Sequence, residues 1–173
     1  LIGVGGGSAL DATKVISMLC DNTGQAEDYQ LDKLTWEAPG RPWIAIPTTA
    51  GTGSEATSVS VITNKRLGVK KRFFGWEMVS TVALLDAEAS VNMPLDVTRD
   101  TGLDALGQAI EGYLSTGNNP IIAAAAIRAV RLINEFLPRA VENGKDLEAR
   151  HNMLIAGLLG GVSIDTGVGL GHE

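Results

Sequence analysis

The sequence predicts an α/β portion over residues 1–94 followed by an all-α portion over residues 95–173. Up to Met93-Pro94, short apolar runs lead into turns rich in glycine and hydroxyl groups; beyond it, apolar residues recur only at helical spacing. The composition limits the partners. A net charge of −6 with scattered lysines and arginines argues against a nucleic-acid ligand, which needs a basic face. No apolar run is long enough to span a bilayer, and the single cysteine, Cys20, cannot form an internal disulfide. A cytoplasmic protein without membrane contact is therefore expected. Cys20 lies in an apolar helical setting and is expected to be a buried small hydrophobe.

In chain order, Leu1 to Val4 reads as a buried strand and Ala9 to Leu19 as an amphipathic helix, joined by Gly5-Gly-Gly-Ser8. Strand, glycine turn and helix together present free backbone N–H groups and a positive helix end to phosphate. Ser8 is the expected N-cap, with Asp11 completing a capping box. Residues 21–41 are polar and read as an irregular excursion, and Trp43 to Ile46 as a second strand. The turn after it, Pro47-Thr-Thr-Ala-Gly-Thr-Gly-Ser-Glu55, offers the hydroxyls of Thr48, Thr49 and Thr52 to a pyrophosphate. Residues 56–63 are β-branched enough for another strand or an extended segment, whereas 64–75 read as a basic turn containing Lys70, Lys71 and Arg72. Val82 to Leu85 forms a third strand ending at Asp86. A helix over 121–141 with Pro138 breaking or bending its end, and another over 146–164 with His151 facing solvent, complete the chain.

The most informative stretch is 101–113. In a helix, Asp104, Gln108 and Glu111 stack on one face, a carboxylate, an amide and a second carboxylate. Leu103, Leu106, Ile110 and Tyr113 occupy the other face and predict a buried helix. Buried charge needs a partner, and a divalent cation is one, with His172 as a nitrogen ligand from another segment. The alternatives are a helix cap at Asp104 and an arginine partner for Glu111.

Taken together, these residues resemble the iron-containing, or group III, alcohol dehydrogenase family. Gly5-Gly-Gly-Ser-Ala-Leu-Asp-Ala-Thr-Lys14 is similar to its glycine-rich cofactor motif, and Ala45 to Glu55 to its second cofactor loop. Leu84-Leu-Asp-Ala-Glu88, Gly102-Leu-Asp-Ala-Leu106 with Glu111-Gly-Tyr113, and Gly169-Leu-Gly-His172 are similar to its strand end, metal helix and later ligand segment. The resemblance implies an N-terminal dinucleotide-binding α/β domain, 1–94, and a C-terminal helical metal and substrate domain, 95–173. It implies NAD or NADP held by Gly6, Gly7, Ser8, Thr48, Thr49 and Thr52, beside which Lys70 of the basic run is the cation a phosphate ester needs, and Fe or Zn held by Asp104, Gln108 and His172. Gln108 departs from the family, which has histidine there. A neutral amide oxygen is a weaker donor than imidazole and moves the preference toward harder ions.

Leu1 begins without methionine in what reads as a strand interior, and the family's last histidine ligand would lie past Glu173, so a piece of a longer chain is expected. The implied activity is reversible hydride transfer between NAD(P) and a small primary alcohol or aldehyde, with Asp104 and His172 at the catalytic metal, in a homo-oligomer. Two rivals stand beside it: a hydroxyacid–oxoacid transhydrogenase, and a dinucleotide-binding or assembly module that has lost its metal.

Overall fold

The computed structural model describes residues 1–117 and 120–165. Three parallel strands, β1 (Ile2–Gly5), β2 (Ile44–Pro47) and β5 (Val82–Ala83), form one sheet in the order β1-β2-β5. Ile2 pairs with Ile44 and Gly5 with Pro47, while Ala45 pairs with Ala83. Helix α1 (Gly7–Leu19) follows β1 and packs on the sheet through Leu10, which closes over Trp43 and Ala45. Its buried residues, Leu10, Lys14, Val15, Ser17 and Met18, follow the three- and four-residue spacing of one helical face. β1 is less enclosed than its apolar sequence suggests: Ile2 and Val4 are both more than half exposed, and only Gly3 is buried.

The basic segment read as a turn is a turn only over 65–68, and Lys70, Lys71 and Arg72 lie on a strand. β3 (Val59–Asn64) and β4 (Val69–Phe74) form an antiparallel hairpin in which Lys70 faces Thr63 and Lys71 faces Ile62. Exposed cations on a solvated strand hide the period-2 signal, and the inward-facing Phe73 is what anchors it, beside Val15, Met18, Tyr29 and Met78. A short helix, α2 (Ala26–Gln30), lies within the irregular excursion and brings Tyr29 to the same cluster. Trp36 stacks on Tyr29 at 3.7 Å between ring centroids. Cys20 is exposed, contrary to expectation, because it follows the last turn of α1 and points away from that cluster's face.

After the one-turn helix α3 (Ala87–Ser90), capped by Asp86 accepting from the Glu88 N–H, the remaining described elements are long helices. These are α4 (Leu95–Leu114), α5 (Pro120–Glu142) and α6 (Leu147–Ile164). α5 buries Ile122, Ala126, Ala129, Ile133, Phe136, Leu137 and Ala140 as one stripe, and continues through Pro138 to Glu142. Asp146 caps α6 by accepting from the Ala149 N–H at 3.0 Å. Arg150 is 2% exposed and donates to the Gly144 and Met93 carbonyls and to Thr98 Oγ1, joining the α5–α6 turn to the start of α4. His151 is exposed, as expected.

Candidate functional site

The glycine turn and the threonine loop lie against each other. The Thr48 N–H donates to the Gly5 carbonyl at 2.9 Å, carrying the parallel pairing of β1 and β2 into the turns. A Cβ on Gly6 would lie 3.2 Å from the Thr49 side chain, and one on Gly7 only 2.6 Å from Thr52 Cγ2. Gly6, Gly7, Thr48, Thr49 and Thr52 are thus brought together at the N-terminus of α1, whose first amides have no partner within the helix.

Ser8 and Asp11 differ from expectation. Gly6 is the N-cap and no side chain caps the helix. Ser8 is exposed in the first turn, and Asp11 is drawn elsewhere, accepting from Ser54 Oγ at 2.6 Å and the Val61 N–H at 2.9 Å. A carboxylate that meets two long-range donors is better satisfied there than in a local box. Lys70 is exposed on β4, and among the described residues no hydrogen bond or ion pair joins it to the two turns.

Three residues beyond Asp11, Lys14 is 0% exposed. Its Nζ donates to Thr57 Oγ1 at 2.9 Å and to the Val59 carbonyl at 2.7 Å, with Asp11 at 3.9 Å. Burial pushes this ammonium down to about 8, against the attraction of Asp11, Asp165 and Glu55. Glu55 is also buried, and burial raises its carboxyl above the usual range although its own backbone and Lys14 pull it the other way. The sequence signal for this cluster was the position of Lys14 four residues after Leu10, on the face that α1 buries.

The threonine loop also enters the helical portion. Ala50 belongs to the core formed by Ala105, Phe136, Met153 and their neighbours. Gly53 adopts φ 58°, and a Cβ there would come 2.5 Å from Gly161 Cα on α6. On α4 the side that turns inward is not the one expected, although Leu106 of the expected set is half-buried against the helical core. Gly102, Ala105, Gln108, Ala109 and Gly112 are buried, whereas Leu103, Ile110 and Tyr113 are about half exposed. Small residues are required on the inner side because α6 approaches so closely that a Cβ on Gly112 would meet the Ser163 carbonyl at 2.5 Å.

That orientation brings the polar stripe of α4 to the loop. Gln108 is 5% exposed; its Nε2 donates weakly to the Thr52 carbonyl at 3.4 Å and to Asp104 Oδ2 at 3.3 Å. Its Oε1 is buried without a hydrogen-bond partner. Asp104 and Glu111 are half-buried on the same helix. Among the described residues no group of three or more His, Cys, Asp and Glu side chains is placed to hold a metal ion. His172 lies outside the described residues.

Two family profiles match this chain: the iron-containing alcohol dehydrogenase over residues 1–87, and the C-terminal part of the Fe-containing alcohol dehydrogenase family over residues 98–173. The chain belongs to the iron-containing alcohol dehydrogenase family. It is 46% identical over 174 residues to an NAD-dependent methanol dehydrogenase of Bacillus methanolicus, covering 100% of this chain and 45% of that protein. It is 42% identical to alcohol dehydrogenase 4 of Schizosaccharomyces pombe, over 95% of this chain and 39% of that one. Among solved structures, sulfoacetaldehyde reductase from Bifidobacterium kashiwanohense in complex with NAD+ superposes with a TM-score of 0.91 at 38% identity, covering 95% of this chain and 44% of that one. The chain therefore spans less than half the length of these iron-containing alcohol dehydrogenase relatives. No helix among the described residues is long and apolar enough to cross a membrane.

Proposed function

We propose that the full protein is a metal-dependent oxidoreductase that transfers a hydride between NAD(P) and a small primary alcohol or aldehyde. One observation carries this reading: Thr52 packs against Gly7 of the glycine turn and, through its carbonyl, accepts from Gln108 of α4. A dinucleotide on the two turns and a cation on α4 would therefore be neighbours, as hydride transfer requires. The likeness to an NAD-dependent methanol dehydrogenase supports the same chemistry.

Gly6 and Gly7 admit a pyrophosphate close to the backbone, and Ser8, Thr48, Thr49 and Thr52 offer hydroxyls and amides to it. Lys70 on the hairpin is the proposed cation beside the cofactor. The α4 residues fit a divalent metal: Asp104 contributes a carboxylate, and Gln108 contributes the amide oxygen that has no partner in the buried site. His172 is the third proposed ligand. This set is richer in hard oxygen donors than one with histidine at 108. The chemistry a metal supplies there is polarisation of the alcohol or carbonyl oxygen. The protein's own residues hold the cofactor and reacting groups in register and keep water from the buried Gln108. A lone cysteine is in keeping with a cytoplasmic setting.

The alternative of a cofactor-binding module without metal is favoured by the Gln108 amide, whose N–H, not its oxygen, faces Asp104. Calorimetric titration of the full-length protein with Mn2+ and Zn2+ separates the two. The proposed function predicts one site that Asp104→Ala removes and Gln108→His keeps, with tighter Zn2+ binding. Absence of a site, or one indifferent to Asp104→Ala, refutes it.

A further inference from the structure

Helix α6 is the shared wall between the threonine loop and α4, and three glycines bring its backbone close to both. A Cβ on Gly157 would lie 3.1 Å from the Gly51 nitrogen, one on Gly160 would lie 3.0 Å from the Ala105 carbonyl, and one on Gly161 would lie 2.7 Å from the Gly53 carbonyl. Glycine surfaces bring backbones close but interdigitate no side chains, so they oppose sliding along the helix axis weakly. Directional bonds add to the register at both ends of the helix, and at its start Arg150 donates to Thr98 Oγ1 of α4 at 2.8 Å.

At the other end, Asp165, which follows α6 directly, supplies two more. Its Oδ1 accepts from the Ser58 N–H at 2.9 Å and from Ser58 Oγ at 2.8 Å, across 107 residues of sequence. Ser58 is fully buried, and the residues on either side of it, Thr57 and Val59, are the two acceptors of Lys14 Nζ. Lys14 in turn is attracted to Asp165. One charged cluster thus ties the helix carrying the glycine turn, the segment after the threonine loop and the end of α6.

We propose that Asp165 is a positioning residue for hydride transfer. It fixes α6 against the cofactor loop and, through the α6–α4 contact, sets the distance from Asp104 to the dinucleotide. This rests on the function proposed above. Asp165 touches neither turn, so its loss alters alignment while leaving the cofactor and metal contacts in place. Misalignment on the order of 1 Å is enough to slow a hydride step by about 100-fold.

The test compares full-length wild type with Asp165→Ala, Asp165→Asn and Ser58→Ala. In Asp165→Ala the dissociation constants of NAD+ and Mn2+ should stay within about twofold. Turnover of a primary alcohol should fall about 10-fold or more, with a larger kinetic isotope effect from the α-deuterated alcohol as the hydride step becomes limiting. Ser58→Ala should give a smaller loss in the same direction. Asp165→Asn keeps an acceptor oxygen and should recover much of the rate; it also serves if the alanine variant does not fold. Backbone hydrogen exchange at Ser58 should accelerate in Asp165→Ala. Unchanged turnover and isotope effect in folded Asp165→Ala overturn the positioning role, as does a loss explained wholly by weaker NAD+ binding. A wild type that binds no metal and oxidises no alcohol overturns the proposed function, and this inference with it; a wild type that does both leaves that function standing when Asp165→Ala has no effect.

Discussion

At Lys14 an ammonium is held out of water by two oxygen acceptors and three nearby carboxylates. Its folded value of about 8 lies below the ordinary 10.5, so the unfolded chain binds more protons between those limits and stability rises with pH across that window. The shift corresponds to roughly 3 kcal/mol, fully felt as a cost below pH 8. Urea unfolding of wild type and Lys14→Met at pH 7, 8.5 and 10 should show the wild type gaining on the variant as pH rises; a constant or shrinking difference contradicts the assignment. At Gly7, the first atom that a β-branched side chain meets is Thr52 Cγ2. Gly7→Val should raise the NAD+ dissociation constant about 10-fold, or about 1.4 kcal/mol, by calorimetry, and an unchanged constant argues against a phosphate seat there. Gly7 and Thr52 were both legible as sequence, since a glycine turn after a strand has few physical uses. The partners of Asp11 were not: Ser54 and Val61 lie 43 and 50 residues away, beyond any local pattern.

For whole elements, spacing identified the three long helices and the three parallel strands but misjudged which side of α4 faces inward. Leu103, Ile110 and Tyr113 have the period of a buried face, and periodicity weighs large apolar groups above small ones. What decides the packing is backbone proximity, available only on the side with Gly102, Ala105, Ala109 and Gly112. β4 was hidden because three consecutive exposed cations leave Phe73 alone to mark its inward face. The α6 glycines give the matching prediction. Gly161→Val places carbon within contact distance of the Gly53 carbonyl and Cα, where backbone has no room to yield. Urea unfolding should show a loss of about 1–3 kcal/mol or more, whereas Leu158→Val, on the half-buried side of the same helix, should cost less. Equal losses would mean that the loop does not press on α6 as described.

Across the molecule, the two turns, the buried charged cluster and the polar stripe of α4 meet around Thr52 and α6. The α/β-then-helical order was legible because glycine turns stop at Pro94, and the glycine and threonine turns because their residues are local. The neighbourhood of Gln108 was not, since only the folded chain brings Thr52 to it and leaves its Oε1 without a partner. The central claim is that this arrangement supports metal-dependent hydride transfer in the full protein. The most direct measurement is NADH formation from a primary alcohol by the full-length protein after chelation, and again after Fe2+ or Zn2+ is restored. The account predicts that activity disappears on chelation, returns with metal, and never returns in Asp104→Ala. Full activity in metal-free protein, unaffected by Asp104→Ala, would contradict it.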